Sequence, residues 1–244
     1  MKAIIIAGGK GERLRPYTED KPKCMIPVLG NPLLSFQVRL LKSHGFDHIT
    51  ICCGYLHEVI MEHFGDGGKY GVKIDYLIEE EPLGRGGAIR GALEKMGTTT
   101  EPVLALNGDC FTNTNLGELL NFHKQHQPMA TLVSVPLNSP YGILDFSDDT
   151  MISGFREKPE LPFWINAGIY ILNPAIKDLL PVKGDHETLT FPKLAENGKL
   201  RCFKSRAFWR TIDTVKDLTE VRHEFEQMLF GAFLQTTSTG APVA

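Results

Sequence analysis

The chain has 244 residues, 26 of them Lys or Arg and 29 Asp or Glu, for a net charge of -3. That length supports one large domain with a substantial core. The slight acidity argues against a general nucleic-acid binder, which needs a basic face for the phosphate backbone.

Residues 3–7, Ala-Ile-Ile-Ile-Ala, form a short β-branched run ended by glycine, which predicts a strand buried on both faces of a parallel sheet. Gly8-Gly9-Lys10-Gly11-Glu12-Arg13 follows. Its glycines let the backbone turn tightly and aim N–H groups at a ligand. Arg13 adds a donor fork suited to phosphate oxygens, Lys10 a mobile charge, and Lys21-Pro22-Lys23 two further cations. The dinucleotide fingerprint fails because position 14 is leucine, and a Walker loop fails because Lys10 precedes Gly11 rather than Ser or Thr. An ordinary glycine turn with surface lysines is the competing reading of this loop alone.

Downstream, residues 32–43 carry Leu34, Val38 and Leu41 at helical spacing, with Gly45 as a stop. Strand 48–52, helix 56–64 and strand 71–78 follow. A second glycine-rich turn, Glu79 to Gly87, is expected to open helix 88–96, and strand 103–106 ends in Asn107-Gly108-Asp109. This alternation predicts a parallel α/β sheet with ligands at the carboxyl ends of its strands, where both glycine loops and Asp109 fall. The second half predicts helix 116–126, strand 129–135, a hairpin of 141–145 with 151–155 and a strand ending near Leu172. Helices 175–180 and 189–196, strand 200–204 and a closing helix 215–229 complete it.

No linker or repeat divides the chain, so residues 1–231 are expected to form one domain and 232–244 a flexible tail. Residues 1–127, which carry both glycine-rich loops, would make one half of it, and 128–231 a second half that supplies a lid or substrate-recognition part. Nothing reads as a signal peptide or a membrane span. The five cysteines, Cys24, Cys52, Cys53, Cys110 and Cys202, lack CxxC spacing and read mostly as buried thiols of a cytoplasmic protein. The histidines show no triad or metal-ligand pattern; His44, His57 and His123 are expected on helix surfaces, and Phe208 and Trp209 in the core.

The ordered set of motifs resembles the sugar-1-phosphate nucleotidyltransferases, or NDP-sugar pyrophosphorylases. It comprises Gly-Gly-Lys-Gly-Glu-Arg after a first strand, Pro22-Lys23, Glu81-Pro82-Leu83-Gly84 with Gly86-Gly87, and Asn107-Gly108-Asp109. Glu157-Lys158-Pro159, Asn166-Ala167-Gly168 and Phe208-Trp209 with Asp213-Thr214 follow. The resemblance runs from Met1 to about Val221. It implies a Rossmann-like three-layer α/β/α fold with a mostly parallel mixed central sheet. It also implies in-line attack of a sugar 1-phosphate oxygen on the α-phosphorus of an NTP, with pyrophosphate leaving. Such a reaction needs the anions held close and their charge neutralised.

By the same resemblance, Arg13 and Lys23 are the catalytic cations. Ala7, Gly8, Gly9, Lys10, Gly11, Glu79, Pro82, Gly84, Gly86 and Asn107 would contact the nucleotide. Gly108, Glu157, Lys158, Asn166 and Gly168 would contact the sugar phosphate, and Asp109 and Asp213 would hold Mg2+. Many relatives read Trp-x-Asp-Ile-Gly-Thr, which puts an aspartate at position 211; this chain has Thr211 there and its carboxylate at Asp213. That variant, with Ile51-Cys52-Cys53-Gly54-Tyr55, resembles the glucose-1-phosphate cytidylyltransferase branch. Glu-Pro-Leu-Gly with two following glycines instead resembles guanylyltransferases for mannose or manno-heptose 1-phosphate, and Arg85 replaces a small residue, often threonine. The leading expectation is GTP with mannose or manno-heptose 1-phosphate, and the alternative is CTP or UTP with glucose 1-phosphate or another sugar 1-phosphate. Other readings are a non-catalytic sugar-nucleotide sensor and a transferase acting on a non-sugar phosphate. The expected partners are the NTP and sugar 1-phosphate, without nucleic acid or membrane; a homo-oligomer stays open.

Overall fold

A computed structural model describes residues 1–224. In chain order, β1 (Lys2–Ile6) leads through the glycine loop to a small hairpin of β2 (Pro27–Val28) and β3 (Asn31–Pro32). Then come α1 (Leu33–Ser43), β4 (His48–Cys53), α2 (His57–Phe64), β5 (Lys73–Ile78), α3 (Gly84–Lys95), β6 (Val103–Asn107) and β7 (Cys110–Thr112). The second half runs α4 (Leu116–His126), β8 (Ala130–Asn138), a hairpin of β9 (Ile143–Phe146) and β10 (Ile152–Arg156), and the long β11 (Glu160–Leu172). It continues through α5 (His186–Leu189), α6 (Phe191–Glu196), β12 (Leu200–Lys204) and β13 (Trp209–Thr211) into a helix, α7, over 215–224.

Seven strands form one sheet in the order β12-β8-β11-β6-β1-β4-β5. Its pairs are parallel except those of β11, which runs antiparallel to both β6 and β8. Alternation along β1 builds two cores. Ala3 and Ile5 pack with Leu34 and Val38 of α1, Ile60 and Phe64 of α2, and Leu119 of α4. Ile4 packs on the other face with Ile89, Ala92 and Leu93 of α3 and Phe191 and Leu194 of α6. The result is the expected three-layer α/β/α arrangement.

A third, smaller core joins Leu14, Ile26, Leu33, Phe111, Ile212, Leu218 and Val221. It seats the loop after β1 against β7 and α7. Because β13 pairs antiparallel with β7, Thr211 opposite Cys110, the chain around residue 213 is carried to the chain around residue 109.

Helix α4 and strand β12 have the expected bounds, while several other expectations need correction. Helix α3 starts at Gly84 rather than at residue 88, because its glycine run forms the first helical turn against the 182–186 segment. The helix expected over 189–196 is two helices: Pro192 sits in the first turn of α6, where its missing N–H cannot extend α5. The helix expected over 175–180 is a 3-10 turn, Pro174–Leu179. His123 is not on a surface; it is 2% exposed and its Nδ1 lies 2.9 Å from Thr131 Oγ1. Cys24, Cys52, Cys53 and Cys110 are buried free thiols, whereas Cys202 is exposed. No helix among the described residues is long and apolar enough to cross a membrane. The end of the expected closing helix, the expected domain end at residue 231 and the expected tail 232–244 lie outside the described residues.

Candidate functional site

Strands β1 and β6 are neighbours, but the chain leaves β1 for β4 on one side while the strands after β6 lie on the other. Such a switch point leaves a crevice at the carboxyl ends, where open α/β sheets bind ligands. A cavity of about 320 Å³ opens there. It is lined by Ala7, Gly8 and Gly9 from the first loop, Glu79, Pro82 and Gly84 from the second, and Asn107, Gly108 and Asp109 after β6, with Lys23 and Arg85 completing the wall. The two loops meet at Gly8, where a Cβ would lie 3.0 Å from Glu79 Oε1. Glu79 Oε2 accepts a 2.9 Å hydrogen bond from the Leu83 N–H. Burial pushes the Glu79 carboxyl up, opposed by that hydrogen bond.

At one end of the cavity Lys23, 13% exposed at the side chain, donates to Asp109 Oδ2 at 2.6 Å and Asp213 Oδ1 at 2.7 Å. Arg13, 72% exposed, reaches the same Asp213 oxygen at 3.0 Å. Burial pulls the Asp213 carboxyl up, but the Lys23 hydrogen bond and charge, then Arg13 and the Thr211 hydroxyl, hold it below the usual carboxylate range. Thr211 lies within β13 opposite Cys110, so Asp213, past the strand's end, is the one whose carboxylate meets Lys23. Asp109 Oδ1 is buried with no hydrogen-bond partner among the described residues.

The second glycine run divides. Gly84, at φ +74°, lines the cavity, and a Cβ on it would come within 2.6 Å of Gly184 O. Gly86 turns inward instead: its N–H donates to Gly184 O at 2.9 Å, and a Cβ would lie 2.8 Å from His186 N. Packing against the 182–186 segment, rather than ligand access, explains that glycine. Arg85 faces the same segment. Its Nε donates to Asp185 Oδ2 at 2.7 Å, and Nη1 and Nη2 bind Glu187 in a fork at 3.0 and 2.7 Å.

Beside Asn107, β11 bulges between Asn166 and Tyr170. Gly168 sits in that bulge at φ +71°, where any Cβ would overlap the Asn107 amide. The Asn166 amide donates to Glu187 Oε1 at 2.8 Å and accepts from the Gly168 N–H at 3.0 Å. Gly168 thus abuts Asn107, which lines the cavity, and Asn166 is linked through Glu187 to Arg85, which also lines it, while neither Asn166 nor Gly168 lines it directly. Glu157 and Lys158 do not line the cavity either and have no such link to it among the described residues: both are exposed in the loop after β10, with Lys158 at φ +45°. Lys10 is exposed too, and Gly11 packs against Lys23 and Thr18.

Sequence reasoning missed Gln37, Tyr170, Asp185 and Glu187. Gln37 Nε2 donates to the carbonyls of Asn107 and Cys110 at 2.8 and 2.7 Å, clamping the turn that carries Asp109. Its place three residues after Leu34 on the apolar face of α1 was the available signal. For the acidic pair the only signal was Asp-His-Glu itself, which has no spacing that points to Arg85.

Residues 2–228 match the Nucleotidyl transferase family. The whole chain aligns at 34% identity with mannose-1-phosphate guanyltransferase 2 of Candida glabrata, spanning 70% of that protein. It is 35% identical over 89% of its length to mannose-1-phosphate guanyltransferase of Saccharomyces cerevisiae, of which it spans 62%. It is also 33% identical over 88% of its length to mannose-1-phosphate guanylyltransferase of Mycobacterium tuberculosis, again spanning 62%. The chain therefore spans only part of these relatives, and under two thirds of the length of the last two. Among solved structures, HddC from Yersinia pseudotuberculosis superposes with a TM-score of 0.74 at 27% identity, covering 92% of this chain and 99% of HddC. A second HddC structure, complexed with GMP-PN, gives a TM-score of 0.72 at 25% identity.

Proposed function

The chain belongs to the nucleotidyl transferase family, and from that premise we propose that it transfers GMP from GTP to mannose 1-phosphate or manno-heptose 1-phosphate, releasing pyrophosphate. The observation that carries this reading is the convergence of Gly8, Lys23, Asp109 and Asp213 at the β1–β6 switch point. The guanylyltransferase names of its relatives and the GMP-PN complex of HddC support the choice of base.

In this reading a sugar-phosphate oxygen forms a bond to the α-phosphorus as the bond to the β-phosphate oxygen breaks. Backbone N–H groups of the Gly8–Gly9 loop bind phosphate oxygens, and Arg13 and Lys23 offset the charge growing on the leaving pyrophosphate. Glu79 accepts from the N–H edge of guanine. Asn166 binds a sugar hydroxyl, with Gly108 and Gly168 leaving room for the pyranose. Glu157 and Lys158 stand outside the cavity, so their role rests on their motif alone. Asp109 and Asp213 offer hard oxygens, one of them a buried and unpartnered Asp109 oxygen, and that donor set suits Mg2+. Bound there, the ion would supply positive charge to phosphate oxygens. A cytoplasmic location belongs to the same proposal.

The second reading is CTP with glucose 1-phosphate, favoured by the carboxylate at Asp213 with threonine at position 211. Pyrophosphate release across GTP, CTP, UTP, ATP and dTTP with glucose, mannose and manno-heptose 1-phosphates tests both. A strong GTP pair is expected; a CTP–glucose pair would move the assignment to the second reading. Binding without turnover of any pair would mark a sugar-nucleotide sensor.

A further inference from the structure

We propose that Arg85 is a positioning residue that sets Asn166 for the sugar hydroxyls by way of Glu187. The inference rests on the sugar-phosphate reading of the cavity given above.

Arg85 lies in the nucleotide-side segment and lines the cavity, which invites a direct contact with base or triphosphate. Its surroundings argue against that use. Nε donates to Asp185 Oδ2 at 2.7 Å, Nη2 lies 2.5 Å from the same oxygen, and the Nη1/Nη2 fork holds both Glu187 oxygens. Two carboxylates more than offset one guanidinium, so this spot carries surplus negative charge and repels phosphate. The fork is also spent, since a bidentate pair occupies the donor edge that would otherwise clasp a phosphate.

The bond passes onward through Glu187. Its Oε1 also accepts from Asn166 Nδ2 at 2.8 Å and from Tyr170 Oη at 2.6 Å. An ionised carboxylate is an acceptor only, so it obliges Asn166 to present its NH2 end here. The other end is fixed as well, because Asn166 Oδ1 accepts from the Gly168 N–H at 3.0 Å. Nδ2 also donates to Tyr170 Oη at 3.0 Å, so both N–H groups are engaged, and an amide held at both ends points the remaining Oδ1 lone pair in a set direction, ready to accept from a sugar hydroxyl. Backbone bonds tie the same pieces together: Gly86 N–H donates to Gly184 O at 2.9 Å and Gly184 N–H to Leu83 O at 2.8 Å. Without Arg85, Asp185 and Glu187 would face each other without a cation beside a buried tyrosine. Glu187 would then turn away from Asp185 toward solvent, which releases the Asn166 amide.

The test compares wild type with Arg85→Met, Arg85→Lys and Glu187→Gln. KM for GTP and for the sugar 1-phosphate are measured separately, alongside calorimetric GTP binding without sugar and thermal melting. Arg85→Met is expected to raise KM for the sugar phosphate about tenfold, as for loss of a charge-assisted hydrogen bond, with KM and Kd for GTP within about twofold of wild type. Arg85→Lys should recover part of the loss, since an ammonium still pairs with Glu187. Glu187→Gln should reproduce the split with Arg85 present, and it decides the matter if Arg85→Met melts too low to assay. A rise in KM or Kd for GTP with the sugar term unchanged would overturn the inference and leave the transferase reading standing. A wild-type protein that binds GTP but turns over no sugar 1-phosphate would overturn both.

Discussion

Asp109 and Asp213 share one cation: Lys23 Nζ lies 2.6 Å from an oxygen of the first and 2.7 Å from an oxygen of the second. The pairing of β7 with β13 makes this possible, since it lays the two carboxylates at neighbouring ends of a short ribbon. A single ammonium thus joins the two carboxylates at this end of the cavity.

Arg13 and Lys23 should separate in their effects. Arg13 is largely exposed, and exposed ion pairs add little to stability. Arg13→Ala is therefore expected to melt like wild type while turnover falls about 10²–10³-fold. Lys23→Met should lower both turnover and the melting temperature, because it leaves Asp109 and Asp213 facing each other with Arg13 alone. Thermal melting beside initial rates checks the contrast.

Asp213 and Thr211 should also separate. Asp213→Asn is expected to weaken Mn2+ binding, read by electron paramagnetic resonance as a rise in free ion. Thr211→Val removes only a hydroxyl bonded to that carboxylate and should change binding far less. The reverse order would move the ligand role to position 211.

Gln37 holds the Asp109 turn by two hydrogen bonds from one buried amide. Gln37→Leu keeps the volume but removes both hydrogen bonds, and is expected to cost about 2 kcal/mol in urea unfolding. The same variant should weaken Mn2+ binding although residue 37 touches no substrate. A stability loss with unchanged Mn2+ affinity would limit Gln37 to the core.

Two buried histidines give the protein an acid limit. Burial lowers His123 from an ordinary 6.5 to about 4. Burial also lowers His186 to about 4, against the opposing pull of Glu187 and Asp185 and with Arg85 adding to the drop. Each binds a proton in the unfolded chain below pH 6.5 but not in the folded one until about pH 4. Stability is therefore full above 6.5 and falls as the pH drops toward 4, by up to about 3 kcal/mol per histidine. Urea unfolding at pH 7 and pH 5 should show the loss, and His123→Gln should make the difference between the two pH values smaller.

Local chemistry was readable wherever a residue's reason lay near it in the chain. The β-branched run of β1, the glycine loop after it and Asp109 at a strand end all follow from short patterns, and α4 follows from its own periodicity. The misses have distant causes. Gly84–Gly87 reads as a turn until Gly184 packs against it, and His123 reads as solvated until Thr131 faces it. Strands β7 and β13 have three residues each, too few for a pattern, yet their pairing brings Asp213 to the site. The partners of Arg85 were hidden for the same reason: Asp185 and Glu187 reach it only through the packing of α5 against α3.

The most direct test of the account follows GDP-sugar and pyrophosphate together, with GTP and mannose 1-phosphate, in wild type and in Asp109→Asn. The account predicts the two products in equal amounts from wild type and a loss of both in the variant at unchanged fold. GTP consumed without GDP-mannose, or a variant as fast as wild type, would contradict it.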